Sequence, residues 1–287
     1  MTTIKNVSII YNPNSTGDGK KNATELAKKL KKEGVGVTLI ETEYEKHAEE
    51  LAKSIADKDS KAMIISSSGD GGYHEVVNGV LNSKHPDVVT GVLPSGNAND
   101  HYHFAHRGNT VKRILAGDVD VIDVLSATTP KETRYAHSYI GLGVTPQIGE
   151  VLTKHKLTFF KELWLVFKHF FMIRPVKIAH NGKVEKYDHM VFSSSGRMSK
   201  VITLSTTAKL DDGMMEVTTK KEGSLFGLIG HFIQAVLRPS NTAPMYEEFT
   251  FTVLRNTTMQ LDGEVYELLA GEAIIMKCEK QRLRCIV

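Results

Sequence analysis

At 287 residues the chain is long enough for two domains with a sizeable core. Its 41% hydrophobic and 24% charged content is that of a globular protein and excludes a disordered or fibrous chain. The 36 basic and 33 acidic residues leave a net charge of only +3, which does not argue for a nucleic-acid partner, and none is expected.

The start of the chain, MTTIKNVSIIYNPNST, carries no secretory h-region or cleavage signal. No apolar run approaches the roughly 20 residues of a spanning helix. Cys278 and Cys285 fit no metal motif and read as two sheet residues in a reducing compartment. These features predict a cytoplasmic protein whose membrane contact is peripheral.

In chain order, VSIIY (7–11) predicts a buried strand, and Ala23, Leu26, Ala27 and Leu30 form one apolar helix face. A second strand (35–40) precedes a helix with Ala48, Leu51, Ala52 and Ile55 on one side. A third strand (62–66) precedes a helix striped by Val76, Val77, Val80 and Leu81, and a fourth spans 88–94. This alternation predicts an α/β domain over 1–124 with a mainly parallel sheet and its ligand at the carboxyl ends of the strands.

From 125 to 287 the texture is strand-rich, with strands predicted at 134–144, 175–180, 189–195, 201–207, 214–221, 248–254, 257–263 and 273–280. Asn181-Gly182 between two such runs predicts a tight hairpin. Helical insertions are expected at 148–173 and 223–237.

Three polar, glycine-bearing loops follow the first, third and fourth strands: YNPNSTGDGKK (11–21), SSGDGGYHE (67–75) and LPSGNANDH (93–101). Each alone has the composition of an ordinary turn. Together on one sheet edge they suggest a phosphate site, because bare backbone amides and helix amino ends attract anions. Neither a P-loop signature nor GxGxxG is present. Lys20 and Lys21 sit where they could assist a phosphate or simply face solvent.

The ordered motifs Asn12-Pro13-Asn14-Ser15, Gly69-Asp70-Gly71 through Glu75 to Val76-Val77-Asn78-Gly79, Leu93-Pro94-Ser95-Gly96 with Asn99-Asp100, Asp211-Asp212-Gly213 and Asp262-Gly263-Glu264 span nearly the whole chain. In this order they resemble the diacylglycerol kinase catalytic-domain family, which includes sphingosine kinases and soluble bacterial lipid kinases. The resemblance implies a two-domain lipid kinase and NAD kinase-like architecture: an α/β nucleotide domain, a β-rich lipid domain, and a cleft between them. It implies transfer of the ATP γ-phosphate, with Mg²⁺, to a lipid hydroxyl, diacylglycerol first among acceptors, at the inner membrane face.

By the same resemblance Asp70 and Asp100 serve the MgATP region, Asp123 supports the acidic centre and Glu264 is the candidate base. Nucleotide contacts fall on Asn12, Pro13, Asn14, Ser15, Thr16, Thr42, Gly69, Asp70, Gly71, Gly72, Glu75, Gly96, Asn97 and Asn99. Lys209, Asp212 and Met214 match a structural Mg²⁺ turn, the first and last through backbone carbonyls. The resemblance admits a homodimer. Gly72 and Asn97 stand where the family usually has threonine, and Ser68 where bacterial members usually have glycine. A sphingoid or small-acceptor kinase therefore stays open, as does a nucleotide- or lipid-binding protein with weakened catalysis.

Two further segments have competing readings. His101, His103 and His106 read as a polar loop or helix surface rather than a zinc site. The apolar stretch 155–175 fits a core helix, a membrane-facing helix, or one that serves both.

Overall fold

The computed structural model describes residues 4–144, 146, 174–198, 202–203, 205, 208–224, 226–228, 230, 234 and 243–287. The insertions expected at 148–173 and over much of 223–237, most of 155–175 and most of 201–207 lie outside the described residues. The chain forms two compact units: Met1–Val124 with Leu210–Asp212 and Glu279–Val287, and Leu125–Lys209 with Gly213–Cys278. The expected span 125–287 thus returns two of its segments to the first unit.

In the first unit β1 (Asn6–Tyr11), α1 (Gly19–Lys32), β2 (Gly36–Glu41), α2 (His47–Lys58), β3 (Met63–Ser68), α3 (Asp70–Leu81) and β4 (Val89–Pro94) alternate as the periodicities predict. Two short helices, α4 (Asp100–Ala105) and α5 (Thr110–Ala116), precede β5 (Asp120–Thr128). The parallel order is β2-β1-β3-β4. Because β2 lies on one side of β1 and β3 on the other, the crossover direction switches at β1, the position at which open α/β sheets bind their ligands.

Both faces of this sheet are covered, which is why its strands read as continuous apolar runs. Ile9, Met63 and Ile65 pack with Ala23, Leu26 and Leu30 of α1 and Ile114 of α5. Ile10 and Ile64, one residue out of phase, pack with Ala48, Ala52, Val76 and Val80 of α2 and α3. Each fully buried Leu, Ile or Val contributes about 1.5–3 kcal/mol. Gly79 belongs to this packing: a Cβ there would lie 2.9 Å from Ala52 Cβ and 3.0 Å from Lys53 N, and closer still to the Glu49 carbonyl.

In the second unit Leu125–Thr128 of β5 pairs antiparallel with β6 (Thr133–Ala136), which β7 (Tyr139–Gly143) follows. β8 (Val176–His180) and β9 (Lys183–Ser193) form the expected hairpin, with Asn181 at φ 48° and Gly182 at φ 73° as its two-residue turn. The remaining strands are β10 (Arg197–Met198), β11 (Ile202–Thr203), β12 (Met215–Lys221), β13 (Met245–Tyr246), β14 (Glu248–Val253), β15 (Thr257–Leu261), β16 (Glu264–Leu268) and β17 (Ala273–Ile286). Phe192, Phe249 and Phe251 anchor a core with Leu125, Ile140, Met259 and Ile274. The last strand gives Ala273–Cys278 to this unit, paired with β14, and its end to the first, where Cys285 and Ile286 pair parallel with Thr90 and Gly91 of β4.

The single strand expected over 134–144 is two strands, because buried Asp262 captures the turn between them. Its carboxylate accepts the backbone N–H groups of His137 (2.7 Å), Ser138 (3.0 Å) and Tyr139 (3.1 Å). Asp262→Ala leaves buried amides unsatisfied, and we expect it to cost on the order of 2–4 kcal/mol in urea unfolding.

Both cysteines lie buried in β17 as free thiols. Burial, with Asp120 adding to it and Arg113 and Arg107 opposing, pushes the Cys285 thiol up to about 12. Because that value is raised on folding, the neutral thiol favours the fold below its unfolded value, and the contribution fades as pH climbs toward about 12. Native protein at pH 8 should therefore leave Cys285 unmodified by a thiol-specific reagent that labels it fully in urea.

Candidate functional site

At the carboxyl edge of the first unit's sheet the three glycine-bearing loops touch one another. Leaving β1, Asn12 forms a side-chain turn with Asn14 N (2.8 Å), and Ser15 Oγ donates to the Asn12 carbonyl (2.9 Å) while accepting from Gly19 N (3.0 Å). That last bond satisfies an orphan amide at the start of α1. Gly17 N then donates to the Ser95 carbonyl in the loop after β4 (2.9 Å). Asn22 Nδ2 donates to both the Gly17 carbonyl and Ser95 Oγ, each at 2.9 Å.

The loops after β3 and β4 meet backbone to backbone. Ser95 N donates to the Ser68 carbonyl (2.9 Å). A Cβ on Gly69 would lie 3.0 Å from Gly96 Cα, and one on Gly96 would run into Gly69 Cα itself. Gly96 has no room for a side chain, and Gly69 has room only if its neighbour gives way. Asn99, at φ 51°, holds Gly96 from both sides, accepting from its N–H (2.9 Å) and donating to its carbonyl (3.0 Å).

This convergence sets two carboxylates at adjacent helix starts. Asp70 is the first residue of α3 and Asp100 the first of α4; Asp100 is buried, and Asp70 Oδ1 accepts from His101 N at 3.4 Å. Each benefits from the positive end of its helix. Beside α1 an open depression of about 430 Å³ is lined by Pro13, Ser15, Asp18, Lys20, Lys21 and Lys28. Lys20 pairs loosely with Glu41 at 3.7 Å, both largely exposed, which gives that pair little energetic weight. Asn97 is exposed on its loop, and Thr42 follows β2 with its N–H on the Tyr11 carbonyl (3.0 Å).

Other expected site residues have structural partners. Glu75 accepts from Lys46 N (3.2 Å) and Ala48 N (3.1 Å), so its carboxylate caps the start of α2. Asp123, expected to support the acidic centre, is fully buried inside β5, where it accepts from Gln281 N (2.7 Å) and its N–H donates to the Leu210 carbonyl (2.6 Å). Asp212 belongs to the first unit, whereas Lys209 and Met214 belong to the second. Glu264 opens β16 opposite Leu261, beyond a turn in which Asp262 and Gly263 both have positive φ.

Two of the three histidines in and after α4 make these ring contacts: His101 is buried against Tyr73 (centroids 5.2 Å apart), and His106, just past the helix, stacks on Tyr102 (4.4 Å). Asn22 escaped sequence reasoning, and Ser95 entered it only as part of a motif. Nothing in the spacing of Asn22 along α1 marks it, since its role depends on a loop 73 residues away.

Comparison with known proteins places this geometry among relatives. Residues 6–127 match the family model of the diacylglycerol kinase catalytic domain. The chain is 27% identical to a diacylglycerol kinase of Staphylococcus carnosus (strain TM300), over 82% of this chain and 78% of that protein. It is 25% identical to that of Bacillus subtilis (strain 168), over 94% and 93%. A crystal structure of a diacylglycerol kinase from Bacillus anthracis (strain Sterne) superposes with a TM-score of 0.73, covering 98% of this chain and 96% of that one. Its identity is 18%, so this last likeness speaks for the fold alone.

Removing the cap on α2 isolates the structural part of Glu75. We expect Glu75→Ala to cost about 1–2 kcal/mol in chemical denaturation, with Glu75→Asp recovering part of it.

Proposed function

We propose that this chain, whose residues 6–127 match the diacylglycerol kinase catalytic domain, is a member of that family and transfers the γ-phosphate of ATP to a lipid hydroxyl, with diacylglycerol as acceptor. The observation that carries this reading is the mutual contact of the loops after β1, β3 and β4, with Gly69 and Gly96 pressed together and two helix starts beside them. The glycine contact keeps side chains away from the meeting point, and the helix starts beside it supply the positive dipole ends that fit a chain of phosphates.

Asp70 and Asp100, whose carboxylate oxygens suit Mg²⁺, are the residues we assign to hold it with the phosphates; when bound, it would neutralise charge on the triphosphate. The amides near Gly71 and Gly72 orient the phosphates, Ser15 holds the loop into α1 in place, and the lysines flanking the start of α1 add positive field. In this proposal Glu264, on the second unit, accepts the acceptor hydroxyl's proton as the new O–P bond forms and ADP departs. The Lys209, Asp212 and Met214 turn is assigned to a structural Mg²⁺. A lipid acceptor requires work at a membrane surface, and no helix among the described residues is long and apolar enough to cross one.

The experiment is phosphorylation of mixed micelles by purified protein with labelled ATP and Mg²⁺. Diacylglycerol should be labelled in preference to sphingoid bases and monoacylglycerol; no labelled lipid in any arm would overturn the reading. Asp70→Asn and Glu264→Gln should each lower kcat by about 10²-fold or more without loss of folded protein.

A further inference from the structure

The loop between β3 and α3 contains a steric exchange. Gly72 is the third residue of α3, and Ser68 closes β3 just ahead of the Gly69 cap. A Cβ built on Gly72 would lie 2.7 Å from Ser68 Cβ and would overlap Ser68 Oγ. Overlap with Oγ alone could be relieved by rotating the serine. Overlap with Cβ cannot, because that atom is fixed by the β3 backbone.

The serine is also held where it is. Its side chain is buried, its hydroxyl hydrogen-bonds Ser66 Oγ at 2.6 Å, and it reaches the Gly69 carbonyl at 3.1 Å. That carbonyl is the acceptor for Tyr73 N (3.1 Å), the first turn of α3. Ser68 thus bears on both the backbone entering α3 and the volume above its third residue.

We infer that Ser68 is a positioning residue for the turn that faces the phosphates: it occupies the space of a side chain at 72, so the turn accepts a side chain at 68 or at 72 but not at both. The inference rests on the proposed nucleotide role of this loop. It changes the meaning of Gly72, whose lack of a hydroxyl is the complement of the hydroxyl at 68. The polar group of this turn reaches it from the strand side instead of the helix side.

A double-mutant cycle over Gly72→Thr, Ser68→Gly and Ser68→Gly/Gly72→Thr, read by MgATP titration, by KM for ATP against kcat, and by thermal midpoint, tests it. Contacting residues in such cycles couple strongly, so Gly72→Thr alone should weaken ATP binding by about tenfold or more, with the double variant within about threefold of wild type. Ser68→Gly alone should raise KM for ATP more than it lowers kcat. If Gly72→Thr fails to fold, recovery of a cooperative melt in the double variant supports the coupling.

A double variant no better than Gly72→Thr, or a Gly72→Thr protein equal to wild type, overturns the inference. Wild-type protein that binds no MgATP overturns the proposed function and, with it, the claim on the phosphates. The thermal midpoints still decide the steric exchange in that case, so the two failures are distinguishable.

Discussion

The approach of Gly69 to Gly96 is the constraint on which the rest of the first unit's functional edge depends. Two loops from adjacent parallel strands can bring their backbones into contact only where neither carries a Cβ. Once they do, the loop after β1 closes onto the same place through Gly17 and Asn22, whose partners are both in residue Ser95 or beside it. The amino ends of α3 and α4 then lie at neighbouring positions, each starting with an aspartate. A cluster of this kind has little side-chain packing of its own. Its rigidity comes from hydrogen bonds between loops and from strands whose apolar residues are buried on both faces.

Carboxylates do structural service in both units. Glu75 satisfies the amides at the start of α2, Asp123 fixes Gln281, and in the second unit Asp262 gathers three amides of the turn between β6 and β7. A buried carboxylate is costly unless its lone pairs are filled, and backbone N–H groups fill them. Asp262 also stands two residues before Glu264, the residue proposed as base. The acidic motifs therefore mix residues that shape the scaffold with residues proposed to meet a ligand.

Much of the fold is legible in the sequence because helix and strand periodicity are local. The stripe of Ala23, Leu26, Ala27 and Leu30 and the Asn181-Gly182 turn each specify their structure within a few residues. Element ends and strand breaks were less legible: 134–144 looks like one strand, and only Asp262, more than a hundred residues away in the chain, divides it. β16 was missed for a similar reason, since the turn that separates it from β15 relies on Asp262 and Gly263 at positive φ. The return of the last strand to β4 left no sequence signal, because an apolar strand carries no label for its partner.

By itself the sequence determined the alternation of strands and helices in the first unit, the β-rich character of the second, and the ordered motifs that mark the family. Those are properties of neighbours along the chain, set by side-chain period, glycine conformation and residue order. Tertiary structure alone decided which of the motif residues are occupied in holding the scaffold and which loops touch. It also decided that Gly72 is bare because Ser68 fills its space. Contacts between segments depend on excluded volume and hydrogen-bond pairing in three dimensions, and a residue's neighbours across a sheet edge are not written beside it in the chain.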